Sequence, residues 1–397
     1  MTSGSSDVID WSAARRLAFD AAAPLGAEQV GLAGAIGRVL FRDVAAAQDI
    51  PHFASSAMDG WAVAGPPPWS LDVEAGAVLL PRTACPVVTG GTIPLGADAV
   101  VRAEHGRLVG RTLTLADDGR LPIPGADIRS AGEEARAGDT LIAAGTLLNP
   151  AHIAVAASCA RDLLDVATRP RVALLLTGDE VDESGLPPSG RVRDSFGPQL
   201  PAVISMMGGT VVAHRRVPDR LAETIRAIEA PGAEAELILT TGGTGFSSAD
   251  QVRPALASLG AEMLVARLGV RPGGPSLLAR LPDGRVVVGL AGNPLAAVIG
   301  ALLLAAPLIS GWTGRPLGGL STVRPAHAIP GHARATLFVP YRTVGGVAVL
   351  AERVGSGMMR GLAESNGILV IPPTGLEPGE SATALTLPWS EPSGSTR

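Results

Sequence analysis

Arg171-Val-Ala-Leu-Leu-Leu-Thr-Gly-Asp-Glu180 begins as an unbroken apolar run and closes on a hydroxyl, a glycine and two carboxylates. A strand that is apolar at every position, not at alternate ones, is covered on both faces, as in a parallel sheet between helices. Downstream, apolar strands at 209–213, 236–239, 263–266 and 285–290 alternate with helical stretches at 197–207, 219–229, 250–259 and 295–309. That alternation predicts a parallel sheet with right-handed crossovers. Ligands bind beyond the carboxyl ends of such strands. Three strands end suitably: in Thr177-Gly-Asp-Glu180, in Thr240-Thr-Gly-Gly-Thr-Gly245 and in Gly289-Leu-Ala-Gly-Asn-Pro294. Singly, each loop is explained as well by a turn, and Asp250 by a helix cap. Three on one sheet edge point to a site. Glycines leave amides free to form an anion nest, the helix after 250 adds its positive end, and Arg271 in Arg271-Pro-Gly-Gly-Pro275 adds a cation. Glu180 and Asp250 are hard oxygen donors suited to Mg²⁺, so a phosphate-bearing ligand fits.

Around this unit the texture is β-rich. Residues 8–24 have helical periodicity with Ser12 as a cap, and 36–50 read as a second short helix. From 61 to 127 short strands follow: Val73–Gly76, Ala84–Val88, Ala99–Val101 and Leu113–Leu115. Asn149-Pro150 opens a helix to Ser158, with Pro at its first turn. After Gly311, strands at 337–339, 347–350 and 367–371 suggest a small barrel or sandwich, and the tail 391–397 reads as disordered. The fold class expected is thus multidomain α/β plus β: a discontinuous N-terminal domain (1–50 and 128–168), a β insertion (51–127), a parallel-sheet α/β domain (169–317) and a C-terminal β-barrel (318–397).

The chain has 397 residues, 46% hydrophobic and 17% charged, enough to bury several cores. Net charge is −5 with no basic cluster, which argues against nucleic acid as a partner. All 32 basic residues are Arg, so a P-loop Lys, a Schiff base and a Lys general base are excluded. Cys85 and Cys159 have no metal-type spacing. The polar N-terminus carries no apolar run, and Ala301–Ile309 is too short to cross a bilayer, so a cytoplasmic setting without membrane attachment is expected.

Phe53-Ala-Ser-Ser-Ala-Met-Asp-Gly-Trp-Ala-Val63 sets Asp59 on a platform of small residues, with a glycine following. The string resembles the Ser-Ala-Met-Asp-Gly signature of the molybdopterin molybdenumtransferases, the MoeA and gephyrin E-domain family. Thr89-Gly90, Gly96–Val100, Gly132–Glu134, Thr177–Glu180, Thr241–Thr244, Pro272-Gly273, Gly292–Pro294, Gly355–Gly357 and Ser365–Gly367 resemble the family's motifs in order along essentially the whole chain. The resemblance implies Mg²⁺-dependent insertion of molybdate into adenylylated molybdopterin with release of AMP. It also implies a homodimer, with a molybdopterin adenylyltransferase and apo-molybdoenzymes as partners.

Carried over residue by residue, the resemblance makes Asp59, Glu180, Asp219 and Asp250 catalytic, with Asp59 supplied by the partner subunit and Glu180 and Asp250 on the metal. It gives Thr89, Glu134, Thr177, Gly178, Asp179, Asp194, Ser195, Thr241, Gly242, Gly243, Thr244, Arg271, Gly273, Asn293, Pro294 and Ser356 to the substrate. Glu134 stands where an Asp is usual. Three departures touch this region: Arg271 and Gly274 replace two lysines, Ala291 replaces a proline, and Phe196 stands where an Asn is usual. They leave open an alternative, a divergent non-catalytic paralogue that binds the pterin or its nucleotide as a carrier or assembly protein.

Overall fold

The structure is a computed structural model that describes residues 8–71, 78–230 and 235–390. The strand expected at Val73–Gly76 and the tail 391–397 lie outside the described residues. The chain divides into two compact units, Met1–Glu28 with Ala167–Arg397, and Gln29–Val166.

The first unit is built on six strands, β1 (Arg171–Thr177), β2 (Thr210–Val217), β3 (Leu237–Thr241), β4 (Glu262–Val265), β5 (Leu277–Arg280) and β6 (Val286–Leu290), in the order β2-β1-β3-β6-β5-β4. Along β1, Val172, Leu174 and Leu176 enter one core with helix Phe196–Met207, while Ala173 and Leu175 enter a second with Ile228 and Leu256. Both faces are covered, which is why the run has no polar alternation. Strands β2, β1, β3 and β6 are mutually parallel, but β5 pairs antiparallel with both β6 and β4, so β5 alone runs against the rest and the sheet expected to be parallel is mixed. Strand β5 has no sequence signal of its own, because Ser276-Leu-Leu-Ala-Arg280 reads as well for a helix.

Helix Trp11–Asp20 belongs to this unit, and its cap is Asp10, whose Oδ1 accepts the Ser12 amide at 2.8 Å; Ser12 itself is not the cap. Arg15 fixes that helix: its buried guanidinium donates to the carbonyls of Leu302 and Gly318, and burial pushes its pKa down to about 10. The final α/β helix runs unbroken over Pro294–Trp312, longer than the apolar stretch suggested, with a π segment at Ala301–Ala305. It is long and apolar enough to cross a bilayer, yet 89% of its apolar window is buried inside the protein, as in a core helix.

The C-terminal strands Leu320–Val323, Thr336–Val344, Val347–Leu350, Gly367–Ile371 and Ala382–Thr386 form one antiparallel ladder around Tyr341, Leu369 and Ala384. A bridge between Pro325 and Ala348 joins its two ends, so the expected barrel closes.

In the second unit, Gly60–Val63 pairs antiparallel with Ala84–Val87 on one side and Ala99–Arg102 on the other. Residues 36–50 are not the expected helix. Gly37 takes φ +72°, and Val39, Leu40, Val44, Ala45 and Ile50 each pair with residues 85 to 126 positions down the chain, from Ala135 to Val166. Burial of Leu40 and Val44 in that unit's core overrides the local periodicity.

Candidate active site

Register places the ends of β1, β3 and β6 side by side, with Leu176 opposite Thr241 and Thr241 opposite Leu290. Their loops surround a cleft of about 790 Å³. Of the residues expected at the site, Thr177, Gly178, Glu180, Asp194, Ser195, Asp219, Thr241, Gly242, Gly243, Thr244, Asp250, Asn293 and Pro294 line it.

Backbone shapes its floor. Thr177 Oγ1 donates to the Thr241 carbonyl at 2.6 Å, and a Cβ on Gly242 would lie 2.7 Å from that same hydroxyl oxygen. Gly242 and Gly243 both take positive φ, +75° and +62°, so glycine is required twice over. The Gly242 amide donates to Leu290 O, whereas among the described residues the amides of Gly243 and Thr244 have no protein acceptor. Thr241 Oγ1, in the cleft lining, is buried without a hydrogen-bond partner. Thr241, Gly243 and Thr244 line the same cleft as Glu180 and Asp250.

The acids divide by what holds them. Asp219 clamps the loop after β1: its two oxygens accept the amides of Gly178 and Asp179, each at 3.1 Å, and its own amide donates to Asp179 Oδ1 at 3.3 Å. Asp179 thus serves that clamp beside the lining. Asp194 caps helix Phe196–Met207 through the amides of Phe196 and Gly197 and pairs with Arg216 at 2.7 Å. It is committed to structure, and Phe196 follows it on the cleft wall. Asp250 is not the cap of the helix Val252–Ser258; that position is Gln251. Its Oδ2 accepts the amide of Ser247 at 2.7 Å and the hydroxyl at 2.5 Å. Burial raises the Asp250 pKa, but Ser247, the Gly245 amide and the charge of Arg253 together outweigh it and hold the group below the usual carboxylate range. Glu180 makes no hydrogen bond through its carboxylate among the described residues. No group of three or more His, Cys, Asp or Glu that could hold a metal ion occurs among the described residues.

Two expected contributions are spent elsewhere. The amides of Leu295 and Ala296, first turn of the Pro294 helix, donate to Ser356 O, and Asn293 Nδ2 reaches Ser356 Oγ at 3.2 Å. Ser356 is therefore a cap for this helix, beside Gly357 in the lining. Arg271 is not in the lining; its guanidinium lies 2.8 Å from His332 Nε2. Gly273, also outside the lining, takes φ +105° with Ala296 O 3.1 Å from where its Cβ would be.

In the second unit, Asp59 Oδ1 accepts both the amide (2.7 Å) and hydroxyl (2.9 Å) of Thr89, and these bonds lower its pKa. Gly60 is required: a Cβ there would meet Val101 O at 2.0 Å. Glu134 lies in a separate recess of that unit, with Ile50, Pro51, Ser55, Arg129 and Glu133. Sequence reasoning missed Arg193, Arg216 and Arg253, which surround the cleft. No local pattern distinguishes them from solvent-facing arginines.

The profile described as "MoeA N-terminal region (domain I and II)" matches residues 9–160, and that for a "Probable molybdopterin binding domain" matches 173–311. The molybdopterin molybdenumtransferase of Nostoc sp. is 30% identical over 395 residues, covering 91% of this chain and 89% of its own length. That of Synechococcus elongatus is 33% identical over 333 residues, covering 76% and 80%. The crystal structure of the molybdopterin biosynthesis MoeA protein from Pyrococcus horikoshii superposes with a TM-score of 0.79 at 23% identity, over 96% of this chain and 100% of that one, so the fold is shared. A cleft at the carboxyl edge of a sheet, a matching first region and a relative aligned over nearly the whole chain lead to one conclusion: this chain belongs to the molybdopterin molybdenumtransferase family, transferases of molybdenum cofactor biosynthesis.

Proposed function

We propose that this cleft takes adenylylated molybdopterin and molybdate, cleaves the phosphoanhydride, releases AMP and leaves molybdenum on the pterin. One observation carries the reading. The amides of Gly243 and Thr244 and the buried hydroxyl of Thr241, all unpaired within the protein, share a cleft with Glu180 and Asp250. Phosphoryl cleavage through a metaphosphate-like state asks for positioned donors and cations more than for a nucleophilic side chain. Thr241–Thr244 bind phosphate oxygens, Asp219 keeps the Gly178–Asp179 turn in place, and Asn293 and Ser356 fix the third loop. The donor set suits Mg²⁺, which is held through one or two carboxylates plus ligand phosphates. Glu180 and Asp250 would hold it, and it would neutralise charge on the phosphate oxygens. Asp59, oriented by Thr89, acts from a second copy of the chain, which makes the working form a homodimer. An adenylyltransferase supplies the substrate and apo-molybdoenzymes receive the product.

The second reading, a carrier of the pterin without insertion, is favoured by Arg271, which is engaged by His332 instead of lining the cleft. Against it, a pure anion binder gains nothing from Glu180 and Asp250. Purified protein incubated with adenylylated molybdopterin, molybdate and Mg²⁺ tests both. We expect AMP in proportion to the cofactor formed, measured by reconstitution of an apo-molybdoenzyme. Tight pterin binding without AMP would leave the carrier.

A further inference from the structure

The charged side chains lining the cleft are Glu180, Asp194, Asp219, Asp250 and Arg193. Arg216 neutralises Asp194, but an entering anion still meets more acid than base. A further cation stands behind the wall. Arg253, in helix Val252–Ser258, donates Nε–H to Thr244 O at 2.7 Å, and Nη2–H to Ala266 O at 2.7 Å and Pro275 O at 3.1 Å. Its guanidinium also lies 4.6 Å from the centroid of Phe246. Thr244 and Pro275 are themselves cleft lining.

All four partners of Arg253 are neutral, three carbonyls and a ring, and no carboxylate lies within ion-pair distance among the described residues. Burial and the neighbouring Arg267 press its pKa down, and Asp250 opposes them through space. A half-buried cation without a counter-ion is a cost that an anion on the other side of the wall removes. A fixed charge in a partly desolvated site also needs no reorganisation when its partner arrives.

We infer that Arg253 is a positioning residue that does two things: its fork ties the glycine-rich loop to the 271–275 loop, and its unpaired charge draws the ligand's anionic group against Thr241–Thr244. This rests on the reading of the cleft given above and deepens it. Arg253 does not touch the ligand; it acts through the carbonyl of Thr244 and through its field.

Charge and geometry separate in two variants of the full chain. Arg253→Lys keeps the charge and loses the planar fork, while Arg253→Gln keeps an amide donor and loses the charge. Titration calorimetry with inorganic phosphate and with molybdate, at fixed ionic strength, reads the difference. We expect Arg253→Gln to weaken binding of both anions tenfold or more and Arg253→Lys to stay within threefold of wild type. Equal loss in the two variants, or wild-type affinity in Arg253→Gln, overturns the inference, as does a wild type that binds neither anion. Should Arg253→Gln not fold, Arg253→Lys decides alone: a tenfold loss overturns the inference and affinity within threefold supports it. AMP release by wild type is assayed separately. A protein that binds phosphate through Arg253 yet never releases AMP keeps this inference and loses the insertion reading.

Discussion

Glu180 and Asp250 line one cleft but are held differently, and that difference sets what each substitution does. Asp250 is fastened by Ser247, so its removal also loosens the loop. Glu180 has no such bond to lose. Glu180→Gln should therefore lower AMP release by about a hundredfold or more, the scale of losing one preorganised electrostatic group. Its thermal midpoint should hardly move, since substitutions away from structural contacts stay within about 0.5 kcal/mol. Full AMP release by the variant would take Glu180 out of the site. At Gly274 the backbone is not in the positive-φ region, and a Cβ would meet Val270 O at 3.2 Å and Leu268 O at 3.4 Å. A side chain fits with a small shift. Gly274→Lys should fold and tighten molybdate or phosphate about tenfold, since a charge-assisted bond contributes about 1.5–3 kcal/mol. Unchanged affinity in a folded variant would put position 274 out of reach of the anion. At this scale the loops after β1, β3 and β6 were legible because hydroxyls and glycines cluster in sequence. The partner of Arg271 was not: His332 is 61 residues away.

Among the elements, the strands buried on both faces announced themselves, while short strands paired to distant residues did not. Residues 36–50 follow a helical period, yet their partners between Ala135 and Val166 decide their form, and no local window contains them. One such long-range tie is testable. Arg102 donates Nε–H and Nη2–H to the two carboxylate oxygens of Asp127 at 2.8 and 2.9 Å, and Asp127 O accepts the Ala57 amide at 2.8 Å. The pair thus supports the platform that carries Asp59. The bond from Arg102 leads in holding the Asp127 pKa below its usual value. A depressed carboxylate pKa gives stability that is complete above the unfolded value near 4 and is lost as pH falls through the folded value. Asn tolerates the φ of +57° at this position, so Asp127→Asn removes charge without backbone strain. At pH 7 it should cost about 1 kcal/mol, because Arg102 is partly exposed. The gap in thermal midpoint from wild type should close as pH falls below about 4 and through the lowered folded value. A gap that stays constant as the carboxylate is titrated by acid would show that the ion pair contributes nothing.

For the molecule as a whole, the proposal that Asp59 serves the cleft of a second copy requires an isologous dimer. Light scattering at micromolar concentration should give twice the 40.1 kDa chain mass. A monomer that still releases AMP at full rate would end the shared-site proposal. Helix Trp11–Asp20 packs on the α/β unit through Ala14, Ala18 and the Arg15 bonds to Leu302 and Gly318, partners 287 and 303 residues away that no local window contains. The cleft floor has a wider consequence. Main-chain amides neither ionise at working pH nor change identity when a codon does. A grip made of them stays constant while the surrounding side chains drift, provided glycine persists at the turns. Selection can therefore rewrite arginines and lysines at the rim, altering strength and preference, without erasing the capacity to hold an oxyanion.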